Sequence, residues 1–263
     1  MRWLHAAVLL LVLAMLGSGS ASAQLTPEQM YETARQWERA VLMQDLANID
    51  RLWSDEGFFS RVTAKVDAPA EVRQKFLAGA GQNLGRMVVE QLLRTRGKTG
   101  GYKLLTIIKR PDGARAIFRV VGDNGLNYHE LIGDTVDGAI RIVDIHVYLT
   151  GESFVQTLRR NYRAFAALQQ NLPPPQDFLE LQQMQKMLAE QNFRGVMNHF
   201  DGLPDELKRE KSLQLLRVLA ALRLGEPDYS RARSEYAACF ANDPTPDLLS
   251  IDALLAAGRF EDC

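Results

Sequence analysis

The sequence is short of the residues that usually announce chemistry. Its 263 residues hold two cysteines, Cys239 and Cys263, and four histidines. No pair of histidines stands at ligand spacing on one element, so no metal site is expected. There is no serine-centred nucleophile motif and no plausible cysteine nucleophile. The glycines at 79, 81 and 85 match neither a P-loop nor a dinucleotide fingerprint, and no strand leads into them. No cofactor is expected either. Basic charge is not in excess: 31 Lys and Arg stand against 32 Asp and Glu, a formal net charge of −1. Without a basic surplus to hold a phosphate backbone, general nucleic-acid binding is disfavoured. Beyond the N-terminus no stretch is long and apolar enough to span a bilayer.

What is present begins with an address. Residues 1–23 read as a secretory signal peptide: Arg2 supplies the positive start and residues 6–16 the apolar stretch. A Gly-Ser-Gly-Ser break follows, then Ala21-Ser22-Ala23 as a small-residue cleavage site before Gln24. An uncleaved anchor is the alternative. Cleavage removes one cation, Arg2, and moves the net charge from −1 to −2. The mature chain is expected in the periplasm or secreted. In such an oxidising compartment Cys239 and Cys263 could be bridged. Cys239 falls on a small-residue core position of a predicted helix and Cys263 is the last residue, which leaves the pairing open.

The organising stretch is residues 101–149, which reads as four strands and three tight turns. Asn124-Gly125 is a hairpin signal, because a type I′ turn needs positive φ at both central residues. Pro111-Asp112-Gly113 and Asp137-Gly138 mark the other two turns. A two-residue Asn124-Gly125 loop would set Val121 opposite Tyr128 and Arg119 opposite Glu130. Ile132 opposite Ile140 would bring Tyr128 near Asp144. The period of two then gives two faces. An apolar face carries Leu105, Ile107, Phe118, His129, Val143 and Ile145 and should meet the helices. A half-wet face carries Tyr128, Glu130, Asp144, His146 and Tyr148, mixed with Leu104 and Ile142. A slip of one residue in either turn would exchange the two sets.

Around the sheet the pattern is helical. Thr26-Pro27-Glu28-Gln29 is a helix start, and apolar residues recur from Met30 to Trp53, with a break expected near 44–47. Trp37 and Trp53 read as packing residues. Phe58-Phe59 begins a short extended piece through Val66. A second helix opens at residues 68–71. Its internal glycines either divide it or allow a close approach to the sheet. Another helix, residues 151–170, follows the last strand. Pro173-Pro174-Pro175 makes residues 171–177 a stiff linker and the best domain boundary in the chain.

Two resemblances emerge from these residues. The long N-terminal helix with its A-x-x-x-x-D-L-A-x-I-x-x-L-W stretch, the Gly-Phe-Phe piece, a helix and an antiparallel meander ending in DGAIRIVDIHV are similar to the NTF2-like (SnoaL-like) fold. That resemblance covers residues 24–170 and implies an α+β domain whose sheet curls around helices into a cone. The cone would hold a ligand, a catalytic site or only packing. Residues 178–263 resemble tetratricopeptide repeats. Asp228-Tyr229-Ser230-Arg231-Ala232 begins a second helix, with Tyr236, Cys239, Phe240, Asp243 and Pro244 at the family's positions. A first helix at 213–225 completes a unit of about 34 residues. A weaker unit precedes it, with Val196 and Phe200 in its second helix. After it, either the array is cut short or residues 248–257 form a lone cap.

The candidate chemistry is thin. Asp144 and His146 alternate on one strand, with Tyr148 beside them and Tyr128 and Glu130 on the neighbouring strand. A carboxylate that orients a histidine is a general-base arrangement, and it is also the look of a wet sheet face or of a homodimer surface. His129 is expected on the apolar face, as a core histidine or a ligand contact, and His199 on the surface. The resulting expectation is a non-enzymatic binding or assembly protein whose repeat helices contact a protein or peptide. The alternative is a small-ligand binder or a hydrolase or isomerase acting in the cone.

Overall fold

The computed structural model describes residues 24–80, 84–96, 100–122, 125–241 and 243–256. The expected signal peptide at residues 1–23, Asn124 of the expected hairpin and Cys263 lie outside them. The described chain is α+β, with helices on both sides in sequence of one antiparallel sheet. Among the described residues no helix is long and apolar enough to cross a membrane.

Helix α1, Pro27–Met43, starts as its sequence dictates. Thr26 accepts from the Gln29 amide at 3.2 Å while the Gln29 side chain accepts from the Thr26 amide at 3.0 Å, a reciprocal capping box. The helix ends at Gln44 in the left-handed conformation. Asp45 then caps α2, Leu46–Leu52, which places the break where polar residues interrupt the apolar period. The Phe58-Phe59 segment is not extended. Ser54 caps it into a helix, α3, Asp55–Thr63, by accepting from the Gly57 amide at 3.0 Å. A serine before two acids is a strong helix start, and it outweighs the β preference of the paired phenylalanines.

Helices α4, Ala70–Ala80, and α5, Leu84–Arg96, flank the described gap at Gly81. The close approach made by Gly85 is to an indole, not to the sheet: a Cβ there would stand 2.7 Å from the Trp53 ring. Trp37 and Trp53 are both buried, with ring centroids 6.3 Å apart.

The sheet runs in sequence order through β1, Gly101–Arg110, β2, Gly113–Gly122, β3, Gly125–Val136, β4, Ala139–Val147, and a short fifth strand, β5, Glu152–Ser153. The expected four strands are thus joined by a two-residue edge. The third turn does form at Asp137 and Gly138, both at positive φ, but it is tighter than expected: Val136 faces Ala139 and Thr135 faces Ile140, so Ile132 does not lie opposite Ile140. The second hairpin closes one residue earlier than expected. Gly122 pairs with Gly125, so Val121 faces Leu126 and Arg119 faces Tyr128. The pairing thus moves by two residues, Tyr128 in place of Glu130 opposite Arg119, and an even shift leaves the faces unchanged.

Two bulges do change them. One lies between Leu104 and Thr106 and makes Leu105 the extra residue, 44% exposed, while Leu104 turns to the core. The other makes Val143 the extra residue, so Ile142 enters the core and Val143 packs toward Gly57. Past that bulge Ile132 pairs with Asp144, Glu130 with His146, and His129 with Val147. A bulge rotates every side chain on one side of it.

Helix α6, Phe154–Gln169, packs back onto α3, α4 and β4. The helical array follows: α7, Gln176–Ala189, α8, Phe193–Asp201, the short α9, Asp205–Lys208, then α10, Lys211–Leu224, α11, Asp228–Cys239, and α12, Thr245–Ala256. Two apolar clusters result. One joins the sheet to α1–α6, the other fills the space between α7, α8, α10 and α11. Leu149 touches both.

Candidate functional site

The four residues singled out by sequence are divided between two surfaces of the sheet. His129 lies beneath it. Its ring stands 6.2 Å from that of Tyr102, which stacks on Phe118 at 4.6 Å and accepts from the Trp37 indole at 3.1 Å. Burial, with the nearby His146 second, pushes the His129 pKa down to about 4, so the ring is neutral at physiological pH. Among the described residues its Nδ1 has no hydrogen-bond partner, and its Nε2 lies 3.5 Å from the Asn127 amide nitrogen. The face that meets the helices is filled by these rings.

Asp144 is on the outer face but does not orient His146. Its Oδ1 accepts from the amides of Ile145 at 2.8 Å and Val155 at 3.1 Å. It therefore fastens the start of α6 to the sheet. Burial raises its pKa, against the hydrogen bonds from Ser153, Val155 and Ile145. Tyr128 pairs with Arg119 and is half-buried.

His146 instead faces Glu130 across the β3–β4 ladder. Its ring meets the Tyr148 ring edge-on, with centroids 5.1 Å apart. Tyr148 donates its hydroxyl to Glu130 at 2.8 Å, and Arg110 donates two N–H groups to the same carboxylate at 3.1 and 3.3 Å. Burial works to raise the Glu130 pKa, but the bonds from Arg110 and Tyr148 outweigh it and hold the carboxyl below its ordinary value. Burial first, then the Glu130 bond, pushes the Tyr148 hydroxyl up to about 12. Arg115, almost fully buried, reaches Asp112 at 2.5 Å and approaches Glu130 at 4.0 Å.

This cluster floors a groove of about 740 Å³ whose far wall is the turn between α11 and α12, at Phe240, Asp243 and Pro244. The same three residues also line a recess of about 560 Å³ between α11 and α12. The array is fastened to the sheet beside the groove by the Thr245 hydroxyl, which donates to the Tyr148 carbonyl at 2.8 Å, and within the array Lys211 pairs with Asp243.

Arg110, Arg115, Lys211 and Phe240 were not legible as site residues. Arg110 and Arg115 flank a turn, where charged residues are ordinary. Phe240 and Asp243 fall at positions that the repeat pattern already explains. Only the docking of the array onto the sheet brings them to Glu130 and His146. Cys239, expected in the repeat core, is exposed, because the buried positions of α11 are Ala232 and Tyr236. His199 is half-buried with its Nε2 2.6 Å from Glu180. Among the described residues no group of three or more His, Cys, Asp or Glu is placed to hold a metal ion. No family model, no curated protein and no solved structure matches this chain.

Proposed function

We propose that the mature chain is an exported, non-enzymatic binding or assembly protein, an NTF2-like domain at 24–170 carrying tetratricopeptide-like helices at 178–263. The helical part contacts a protein or peptide partner. The observation that carries this reading is the pair of concave spaces, one on the outer sheet face and one in the array, that share Phe240, Asp243 and Pro244 as lining. A concave surface with an aromatic wall and charged margins suits an extended chain segment better than a small ligand. The dispersal of the reactive candidates supports it too. His129 is sealed among rings and Asp144 is engaged with backbone amides.

The experiment is light scattering and crosslinking mass spectrometry on the mature protein in periplasmic extract, repeated with Phe240→Ser and Arg233→Glu. The expected outcome is a partner crosslinked beside the recess, with recovery reduced at least tenfold in both variants while thermal stability is retained. Equal recovery from both variants overturns the reading. A second reading, a small-ligand binder or hydrolase or isomerase, is favoured by one observation: His146, Glu130 and Tyr148 converge on the same groove. It predicts that His146→Ala abolishes function with the fold intact.

A further inference from the structure

The array is held to the sheet by few polar ties, and a histidine lies among them. His146 is half-buried in the groove, with charged groups facing it from every side. From β3 comes Glu130, from β1 Arg110, and from β2 Arg115. The β1–β2 turn adds Asp112, and Ser153 of β5 pairs with His146. On its own strand stands Tyr148. From the array come Lys211 at the start of α10 and Asp243 before α12, paired with each other. Two residues beyond Asp243, Thr245 makes its bond to the Tyr148 carbonyl, two residues from His146. Gly151 sits against the same lysine, so close that a Cβ would meet Lys211 Cε at 2.8 Å. The closed arrangement leaves little room for a new charge.

We infer that His146 makes the seating of the helical array on the sheet sensitive to protonation: a neutral imidazole leaves the Lys211–Asp243 pair within the array and, two residues on, the Thr245–Tyr148 tie to the sheet closed, and a charged one opens them. The charged ring would stand in a poorly solvated place beside Lys211 and Arg110. Its available counter-charges, Glu130 and Asp243, are already bonded to Arg110 and Lys211. Pairing with Asp243 would take that residue from Lys211 and pull on the segment that carries Thr245. Burial, then Lys211, holds the His146 pKa below its ordinary 6.5, with Glu130 and Asp243 pulling the other way. The closed state thus binds the proton less readily than an open state. Its stability is complete above 6.5 and is lost as pH falls toward the lowered value. Whatever the groove binds, acid would loosen its far wall.

The test is an NMR titration of the full mature chain with amide hydrogen exchange at pH 7.5 and 5.0, corrected for the intrinsic pH dependence of exchange. The His146 ring is expected to titrate below 6.5, with the amides of Lys211 and Thr245 following the same midpoint. Protection in α12 is expected to fall at least fivefold on acidification in the wild type and to change less than twofold in His146→Gln. An array response that follows His199, or equal loss of protection in His146→Gln, overturns the inference. Should that variant not fold, the wild-type titration alone decides: midpoints of the ring and of the array that differ reject the coupling.

Discussion

At the scale of the residue, the outer face of the sheet depends on side chains that serve backbone groups. Asp144 is the clearest. Both of its bonds to main-chain amides end on Oδ1. Asparagine keeps that oxygen, and alanine leaves two buried amides without an acceptor. Asp144→Asn should therefore cost under about 1 kcal/mol and Asp144→Ala about 2–3 kcal/mol, measured by urea unfolding. The pH dependence separates them further. The folded pKa of Asp144 lies above the ordinary 3.8, so its contribution is complete below 3.8 and is lost as pH rises through the raised value. The asparagine variant should gain on the wild type as pH rises from acid to neutral. Glycines give a second contrast. Gly85→Ala would drive a methyl into the Trp53 ring and should cost about 1–3 kcal/mol, whereas Gly79 has open space around it and its alanine variant should gain about 0.5 kcal/mol. Equal denaturation midpoints for the two would show that the Trp53 contact is slack.

At the scale of the element, α6 is held at its start by two devices. Ser153 caps it, accepting from the Gln156 amide at 3.3 Å, while Gln156 accepts from the Ser153 amide at 2.7 Å. Ser153 also bonds Asp144. Ser153→Ala should cost about 1–2 kcal/mol, and its combination with Asp144→Ala should cost less than the sum, as a double-mutant cycle would measure. The sequence shows such caps openly, because a cap is a local matter of one side chain and an amide three residues on. The start of α1 at Thr26 was legible for that reason, as was the break at Gln44 where Asp45 caps the next helix. The helix at Asp55–Thr63 was not legible from its aromatic pair, whose β preference points to an extended piece; its signal lies in Ser54 and the two acids after it. Bulges are different. Leu105 and Val143 are ordinary strand residues, and nothing in their type announces that each is the extra one. Which of Leu104 and Leu105 enters the core depends on the shape of the whole sheet against α1. The pairing of Glu130 with His146, and hence the site, lay behind the second bulge.

At the scale of the whole molecule, the question is whether the array and the sheet unfold together. Each has its own apolar cluster, large enough to support cooperative melting. What joins them is a narrow strip. Leu149 packs on both clusters, Thr245 donates to the Tyr148 carbonyl, and Arg163 pairs with Asp177 at 3.0 Å. The Arg163–Asp177 pair is largely in water and contributes under about 1 kcal/mol. Leu149 is the apolar member, and its truncation to alanine should cost about 2 kcal/mol, toward the low end for a leucine because it is only half-buried. Thr245→Val removes one hydrogen bond of near-equal shape and should cost about 1 kcal/mol. Neither touches the interior of either cluster. Coupling energy, not intrinsic stability, is what they remove. In calorimetry the wild type should therefore melt in one transition, and Leu149→Ala with Thr245→Val should split it in two. The array, with the smaller core, should melt first, and the sheet should keep a midpoint within a few degrees of the wild type. A double variant that still melts in one lowered transition would mean that the sheet cannot stand without the array. The groove between them would then be a seam within a single cooperative unit, with no freedom to open.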